Sequence, residues 1–81
     1  MDKEIVLYTT PGCPDCAALK AWLGQQGIAF SERDLSQPGV ADEAKSRYGV
    51  RIAPITVIGD TFFYGTFSEQ EPRIREALAQ R

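Results

Sequence analysis

Short apolar runs alternate with helical periodicities along this chain of 81 residues. Glu4 to Thr9 is a β-branched and aromatic run that ends close to a Pro-Gly pair, and such a run predicts a buried strand. From Pro14 to about Gln26, apolar side chains recur at helical spacing, a proline stands at the first helical position and a glycine follows the end. The first third of the chain is therefore predicted to be a strand followed by a helix.

The middle of the chain carries weaker patterns of the same two kinds. Ile28 to Leu35 alternates apolar and polar residues in its first half, which predicts a second strand. Ser36 suits an N-cap and Pro38 suits the first helical turn, so a short helix is predicted to run to about Tyr48, where Gly49 stops it. We expect this helix to be mostly solvated.

The carboxy-terminal third predicts a hairpin and a final helix. Ile55 to Ile58 and Thr61 to Tyr64 are β-rich runs joined by a two-residue Gly-Asp loop, which indicates two antiparallel strands. Ser68 to Gln80 has one apolar face, and Ser68 with Glu71 has the spacing of a capping box. Pro72 cannot donate a helical hydrogen bond, which would move the regular start nearer to Glu71.

These elements give the order strand, helix, strand, helix, strand, strand, helix. The first strand-helix-strand unit should be parallel with a right-handed crossover, and the hairpin should add antiparallel strands to the same sheet. We expect a single α/β domain over residues 1–81, with helices on both faces of one mixed sheet.

Composition and charge narrow the classes of function. The net charge of -2 and the scattered Lys and Arg residues provide no basic surface for nucleic acid. No apolar run resembles a signal peptide or is long enough to cross a bilayer. We therefore expect a soluble, cytoplasmic protein without a nucleic-acid or membrane partner, and a monomer by default for so short a chain.

The chain has two cysteines, and both lie at the start of the first predicted helix, in the stretch TTPGCPDC. A helix N-terminus stabilises a thiolate, so the pKa of the Cys13 thiol should fall, while Cys16 lies on the same side of the first turn and is more enclosed. This asymmetry suits thiol–disulfide exchange, in which Cys13 attacks a substrate disulfide and Cys16 resolves the mixed disulfide. A zinc site within one chain is not expected, because there is no third cysteine and no histidine.

Some residues near the cysteine pair have two interpretations each. Asp15 either stabilises the first turn of the helix, as acidic residues there do, or tunes the redox potential or selects a partner. Lys20 either lends positive potential to the site or is simply solvated. Tyr64 and Phe67, near the end of the hairpin, are either buried or form an apolar patch for docking a protein.

Several features together resemble the glutaredoxin family of the thioredoxin fold, and in particular its small NrdH-type redoxins. They are TTPGCPDC followed by Lys20, Ala53-Pro54 directly before a strand, and the β-α-β-α-β-β-α order. The resemblance covers nearly the whole chain and implies a thioredoxin-like, three-layer sandwich with a four-stranded mixed sheet and three helices. It also implies that Cys13 is the nucleophile, that Cys16 resolves, and that Pro54 is a cis-proline whose loop offers backbone to an extended substrate.

The resemblance extends to candidate binding residues around the two cysteines. Arg47 and Arg51, on either side of Tyr48-Gly49, are candidates to meet an anionic group such as a glutathione carboxylate near the cis-proline loop. Lys20 is a third basic candidate, through its positive potential. The candidate substrate-binding residues are Pro14, Asp15, Ala53, Pro54, Gly65 and Phe67.

The electron donor is where the sequence departs from the family patterns. Dithiol glutaredoxins that use glutathione typically have tyrosine where this chain has Asp15, and a Gly-Gly-x-Asp element where it has Gly65-Thr66-Phe67-Ser68. NrdH-type redoxins take electrons from thioredoxin reductase and pass them to ribonucleotide reductase, and Gly65 and Phe67 loosely match their Gly-Phe element. The resemblance thus implies a protein-disulfide reductase with thioredoxin reductase or glutathione as donor and no tightly bound cofactor. The alternatives are a glutathione-dependent glutaredoxin and a carrier of an iron–sulfur cluster shared by two copies.

Overall fold

A computed structural model describes residues 4–50 and 52–79. The described residues form seven elements in the predicted order. No helix among them is long and apolar enough to cross a lipid bilayer. The elements are β1 (Ile5–Thr9), α1 (Pro14–Gln25), β2 (Ser31–Asp34), α2 (Val40–Tyr48), β3 (Ile55–Ile58), β4 (Thr61–Tyr64) and α3 (Phe67–Ala79).

The strands within the described ranges form one four-stranded sheet in the order β2-β1-β3-β4. β1 and β2 are parallel, whereas β3 is antiparallel to both β1 and β4. The parallel pair results from the crossover through α1, and the antiparallel pair β3-β4 from the two-residue loop. The predicted mixed sheet, with its β-α-β unit and closing hairpin, is confirmed.

The core lies on both faces of this sheet because side chains alternate along each strand. Ile5 and Leu7 of β1 pack with Leu19, Leu23 and Ile74, so α1 and α3 cover one face. The opposite face carries a second cluster under α2, formed by Tyr8, Leu35, Val40, Ala44, Ile55 and Val57. The three-layer arrangement and the predicted core stripe of α1 are confirmed.

The weaker patterns placed two element boundaries wrongly. β2 covers four residues, Ser31–Asp34, and the apolar Ile28 and Phe30 before it pack against the core from the connecting segment. Ser36 does not cap α2; its backbone N–H and its hydroxyl both bond to Asp34 Oδ1, in a turn of the kind that short polar side chains form. α2 begins at Val40, after a glycine in the left-handed conformation and without a side-chain cap.

The start of α3 also differs from the predicted one. Thr66 is the N-capping residue, because its Oγ1 accepts the Glu69 N–H at 3.2 Å and Glu69 Oε1 accepts the Thr66 N–H at 2.9 Å. This is a capping box two residues earlier than the predicted Ser68 pair. The helix then continues through Pro72, which leaves the carbonyl of the exposed Ser68 without its helical donor.

Candidate active site

The site lies at the end of the sheet where the central strand β1 terminates, and three chain segments meet there. β1 ends at Thr9, and its last residues pair with the start of β3, Tyr8 opposite Ile55. β4 terminates at the same end of the sheet, because Tyr64 pairs with Ile55. The loop to the cysteines, the segment before β3 and the loop from β4 to α3 therefore lie side by side.

Cys13 is the N-cap of α1 and is joined to Cys16 by a disulfide, with the Cα atoms 5.2 Å apart. The Sγ atom of Cys13 accepts the backbone N–H of Cys16 at 3.1 Å. Gly12, at φ 75°, makes the turn that leads into the cap, and the exposed Pro14 takes the first helical position, where no N–H donor is needed.

The two sulfurs are unequally accessible. Cys13 is partly exposed, whereas Cys16 is only 2% exposed. An N–H donor aimed at Sγ and the positive end of the helix dipole both favour a thiolate at Cys13 once the bond is reduced. The arrangement provides one sulfur that an external disulfide can reach and a second sulfur that meets only the first.

Asp15 joins the cysteine loop to α3. Its Oδ1 accepts the backbone N–H of Phe67, the first residue of α3, at 3.1 Å although the residues are 52 apart in sequence. The carboxylate thus stands in the first turn of α1 and binds an otherwise unpaired N–H of another helix. The predicted helix-stabilising position is observed, but this contact between two helices could not be read from the sequence.

The Ala53-Pro54 peptide bond is cis, as the resemblance implied, and Pro54 is buried. Its carbonyl oxygen accepts a hydrogen bond of 2.8 Å from Nε2 of Gln70. Gln70 was missed at the sequence level. A signal was present, since a glutamine four residues before Ile74 and seven before Ala77 lies on the apolar face of α3.

Gly65 and Phe67 lie in the loop between β4 and α3. Gly65 has φ 118°, a backbone conformation that favours glycine, and a Cβ there would lie 2.9 Å from Glu69 Oε1 and displace the capping carboxylate. The ring of Phe67 packs edge-on against Trp22, with centroids 6.5 Å apart, and its N–H is bound by Asp15. The substrate-binding roles of both residues stay predictions.

Of the three basic candidates, Lys20 and Arg47 lie in the part of the chain that the structure describes. Lys20 pairs with Glu32 at 3.1 Å, and Thr9 also donates to that carboxylate at 2.7 Å. These bonds, the one from Thr9 foremost, lower the pKa of Glu32. Arg51 lies outside the described residues, so its predicted role stays a prediction.

Arg47 lies on α2, where its charge acts on Tyr8 and Glu43. The Tyr8 hydroxyl donates to Glu43 at 2.6 Å, and Glu43 also binds Arg33. Burial, followed by the contact with Glu43, raises the pKa of Tyr8 to about 12. This cluster ties β1 to α2 and explains why the tyrosine is buried with its hydroxyl satisfied.

An apolar surface adjoins the cis-proline segment. Ile52 is 77% exposed and Tyr64 61% exposed, and they line a shallow cavity of about 400 Å³ together with Lys45, Gly49 and Val50. Of the two side chains considered for a docking patch, Tyr64 is therefore available, while Phe67 packs against the core.

Comparison with known proteins decides the family. The family model "Glutaredoxin" matches residues 5–63, a span that includes both cysteines and the cis-proline. The chain belongs to the glutaredoxin family. The expected fold class and the cysteine pair of a redox protein are thereby confirmed.

The curated relatives cover parts of the chain. N-acetyl-S-hydroxy-L-cysteine reductase of Bacillus subtilis is 34% identical over 57 residues, which are 69% of this glutaredoxin and 61% of that protein. The global transcriptional regulator Spx 1 of Oceanobacillus iheyensis is 43% identical over 42 residues, or 51% of this chain. The chain spans about a third of the length of the Spx regulators that it matches.

Solved structures cover more of the fold. The thioredoxin-like protein BC3987 superimposes with a TM-score of 0.77 at 25% identity, over 86% of this chain and 97% of that one. NrdH-redoxin of Escherichia coli, called a glutaredoxin-like protein with a thioredoxin-like activity profile, gives 0.68 at 28% identity, over 79% and 83% of the two chains. The chain thus shares the fold of glutaredoxin-like and NrdH-like thiol oxidoreductases.

Proposed function

We propose that this glutaredoxin is a dithiol oxidoreductase that reduces protein disulfides, with Cys13 as the attacking thiol and Cys16 as the resolving thiol. The observation that supports this most is the pairing of a partly exposed N-cap sulfur with a buried second sulfur. Such a reductase works in a reducing compartment, so a cytoplasmic location is part of the proposal.

The reaction transfers two electrons from the dithiol to the client. The Cys13 thiolate attacks one sulfur of the client disulfide, and the other client sulfur leaves as a thiolate and takes up a proton. The thiol of Cys16 then loses its proton and attacks Sγ of Cys13, which releases the second client sulfur and closes the Cys13–Cys16 bond. A donor must then supply two electrons and two protons to reopen that bond.

The proposed donor is thioredoxin reductase, and ribonucleotide reductase is the proposed client. The thioredoxin-like activity profile named for NrdH-redoxin supports this choice, as do Asp15 and the Gly65-to-Ser68 stretch that replace the glutathione-type elements. The alternative is reduction by glutathione, whose carboxylates would bind basic residues such as Arg47 and Arg51.

A second candidate function is reduction of a small sulfenic acid, that is, a compound with an S–OH group, to its thiol. It is favoured by the match to N-acetyl-S-hydroxy-L-cysteine reductase over 69% of the chain. The Cys13 thiolate would attack the S–OH sulfur, hydroxide would leave and be protonated to water, and Cys16 would release the thiol. The same sulfur pair serves both reactions, so only substrate preference separates them.

The test is NADPH consumption with a protein disulfide as substrate, measured with thioredoxin reductase and, separately, with glutathione and glutathione reductase. Turnover that needs only thioredoxin reductase is the expected result. Turnover only with glutathione would select the alternative donor. A clear preference for a small sulfenic acid over the protein disulfide would select the second function. No turnover with any of them, or activity that survives Cys13→Ser, would contradict the proposal.

A further inference from the structure

Gln70 is a fully buried amide on the apolar face of α3. It is 0% exposed, whereas most glutamines lie at the surface, since an unpaired buried amide costs free energy. Its neighbour on the same face, Ile74, belongs to the hydrophobic core. An apolar residue at position 70 would satisfy the pattern of the helix, so the amide requires a separate explanation.

Hydrogen bonds to three residues, in two chain segments, hold this amide. Nε2 donates to the carbonyl oxygen of Pro54 at 2.8 Å and to that of Gly65 at 2.9 Å. Oε1 accepts the hydroxyl of the buried Thr56 at 2.7 Å. Both N–H donors are used, and because both of their partners are carbonyls the amide is held in one orientation.

The two carbonyls belong to the two segments beside the cysteines. Pro54 ends the cis-proline segment, and Gly65 begins the loop whose other end, the N–H of Phe67, is bound by Asp15. A single side chain of α3 thus fixes the spacing between these two segments. Both segments lie beside the cysteine loop, so they are the surfaces that a substrate chain at Cys13 would contact.

We infer that Gln70 is a positioning residue that sets the spacing between the Pro54 segment and the Gly65–Phe67 loop, and so determines how well a protein disulfide is seated at Cys13. The inference rests on the proposed reductase function. Gln70 has no contact with either sulfur among its hydrogen bonds, so its effect should fall on binding of an extended client and not on the chemistry of the thiols.

The experiment compares Gln70→Met with Thr56→Val, using thioredoxin reductase as donor. Gln70→Met keeps the side-chain length but frees both carbonyls, whereas Thr56→Val removes the bond to the same amide and leaves both carbonyls held. With insulin as the protein disulfide, Gln70→Met should raise KM about tenfold with kcat little changed, the equivalent of roughly two lost net hydrogen bonds. Turnover of hydroxyethyl disulfide, which is too small to span the loops, should stay at the wild-type rate.

Thr56→Val controls for loss of stability. It should leave KM for insulin unchanged although it also breaks a buried hydrogen bond. Equal KM changes in the two variants, no change in Gln70→Met, or equal losses with insulin and with hydroxyethyl disulfide would overturn the inference while leaving the proposed function intact. A wild-type protein inactive on insulin would overturn the proposed function, and the inference with it.

Gln70→Glu provides a second test in case Gln70→Met does not fold. An ionised carboxylate cannot donate to either carbonyl, but a protonated one can donate to one of them. The ratio of the variant's KM to the wild-type KM should therefore fall as the pH is lowered and the carboxyl takes up a proton. A ratio that is close to one, or that does not vary with pH, would overturn the inference.

Discussion

Helices α1 and α3 begin next to each other, and each has a side chain that caps its free backbone N–H groups, but the capping atoms differ. In each, the N-capping side chain accepts the N–H of the residue three positions on: Sγ of Cys13 accepts that of Cys16 at 3.1 Å, and Oγ1 of Thr66 accepts that of Glu69 at 3.2 Å. The first N–H is absent in α1, where it would belong to Pro14, and in α3 it is bound by Asp15. A sulfur cap and an oxygen cap therefore stand side by side.

The difference separates reactivity from stability. A hydroxyl at an N-cap is a good acceptor and is chemically inert, so the cap of α3 contributes to folding alone. A thiol is a weak acceptor whose ionised form is a nucleophile. The cap of α1 therefore stabilises the helix less than a hydroxyl would, but it holds the thiolate that reacts. The following changes exchange or weaken one cap at a time.

The largest effect is expected from Cys13→Ser, which gives α1 the kind of cap that α3 has. The hydroxyl should preserve or improve the helix N-terminus, so the midpoint of denaturant unfolding should not fall relative to reduced wild type. Disulfide reductase activity should be lost, because a serine hydroxyl does not attack a disulfide. Retained activity, or a large loss of stability, would contradict the comparison.

Cys16→Ser is the matched variant. It should keep the attacking thiol and accumulate a mixed disulfide with the client, visible by mass spectrometry after the client is added.

Thr66→Ala should remove the oxygen cap of α3 and lower the free energy of unfolding by about 1 kcal/mol, as loss of an N-cap generally does. The control is Ser68→Ala, two residues on, which the sequence pattern favoured as the cap and the structure leaves exposed. Denaturant unfolding of both variants decides between the two positions. A larger loss for Ser68→Ala would contradict the observed capping box.

The fold could be predicted because its signals are local. The two-residue loop between Ile58 and Thr61 and the apolar stripe of α1 depend on neighbours a few residues away, and both are observed. The caps of α2 and α3 were wrong because several polar residues near each helix start have suitable spacing, and the path of the preceding loop selects among them. Thr66 and Ser68 are equally plausible caps until Gly65 fixes that path.

The site could be predicted only in part. Cys13 and Cys16 are three positions apart in sequence, so their spacing alone identifies them as a candidate redox pair. Asp15 and Gln70 bind residues 52 and 16 positions away, and such contacts form only when the strands bring their loops to one end of the sheet. Burial of a polar side chain is a property of the assembled core, which a helical pattern can suggest but not establish.

In the disulfide form, whose sulfurs do not titrate, acid should weaken the oxygen cap and leave the sulfur cap unchanged. Hydrogen bonds from the backbone and the hydroxyl of Thr66 lower the pKa of Glu69 below its usual value. The ionised carboxylate is thus favoured in the folded state, so this stabilisation is present above the ordinary glutamate pKa and is lost as the pH falls through the lowered one.

Glu69→Gln tests this pH dependence. The amide oxygen can keep the hydrogen bond to Thr66 but cannot titrate, so the variant should lose less stability on acidification than the wild type does. Glu32 also has a lowered pKa and should contribute a similar loss to both proteins. Parallel stability curves between neutral and acid pH would contradict the role of the Glu69 carboxylate.

The smallest effect concerns Asp15, which belongs to both helix starts at once. Its carboxylate binds α3 through Phe67. Asp15 also lies between the two cysteines in sequence, and a negative charge near Cys13 opposes a thiolate there. Asp15→Asn keeps an oxygen acceptor for Phe67 and removes the charge, whereas Asp15→Ala removes both. The rate of Cys13 alkylation at neutral pH should rise about two- to threefold in both variants, because removing a nearby like charge lowers the pKa of the thiol.

Only Asp15→Ala should also lower the free energy of unfolding, by about 1 kcal/mol for a lost cap. Equal stabilities of the two variants would show that the bond to Phe67 contributes little, and unchanged alkylation in both would show that the charge at position 15 does not act on the thiol.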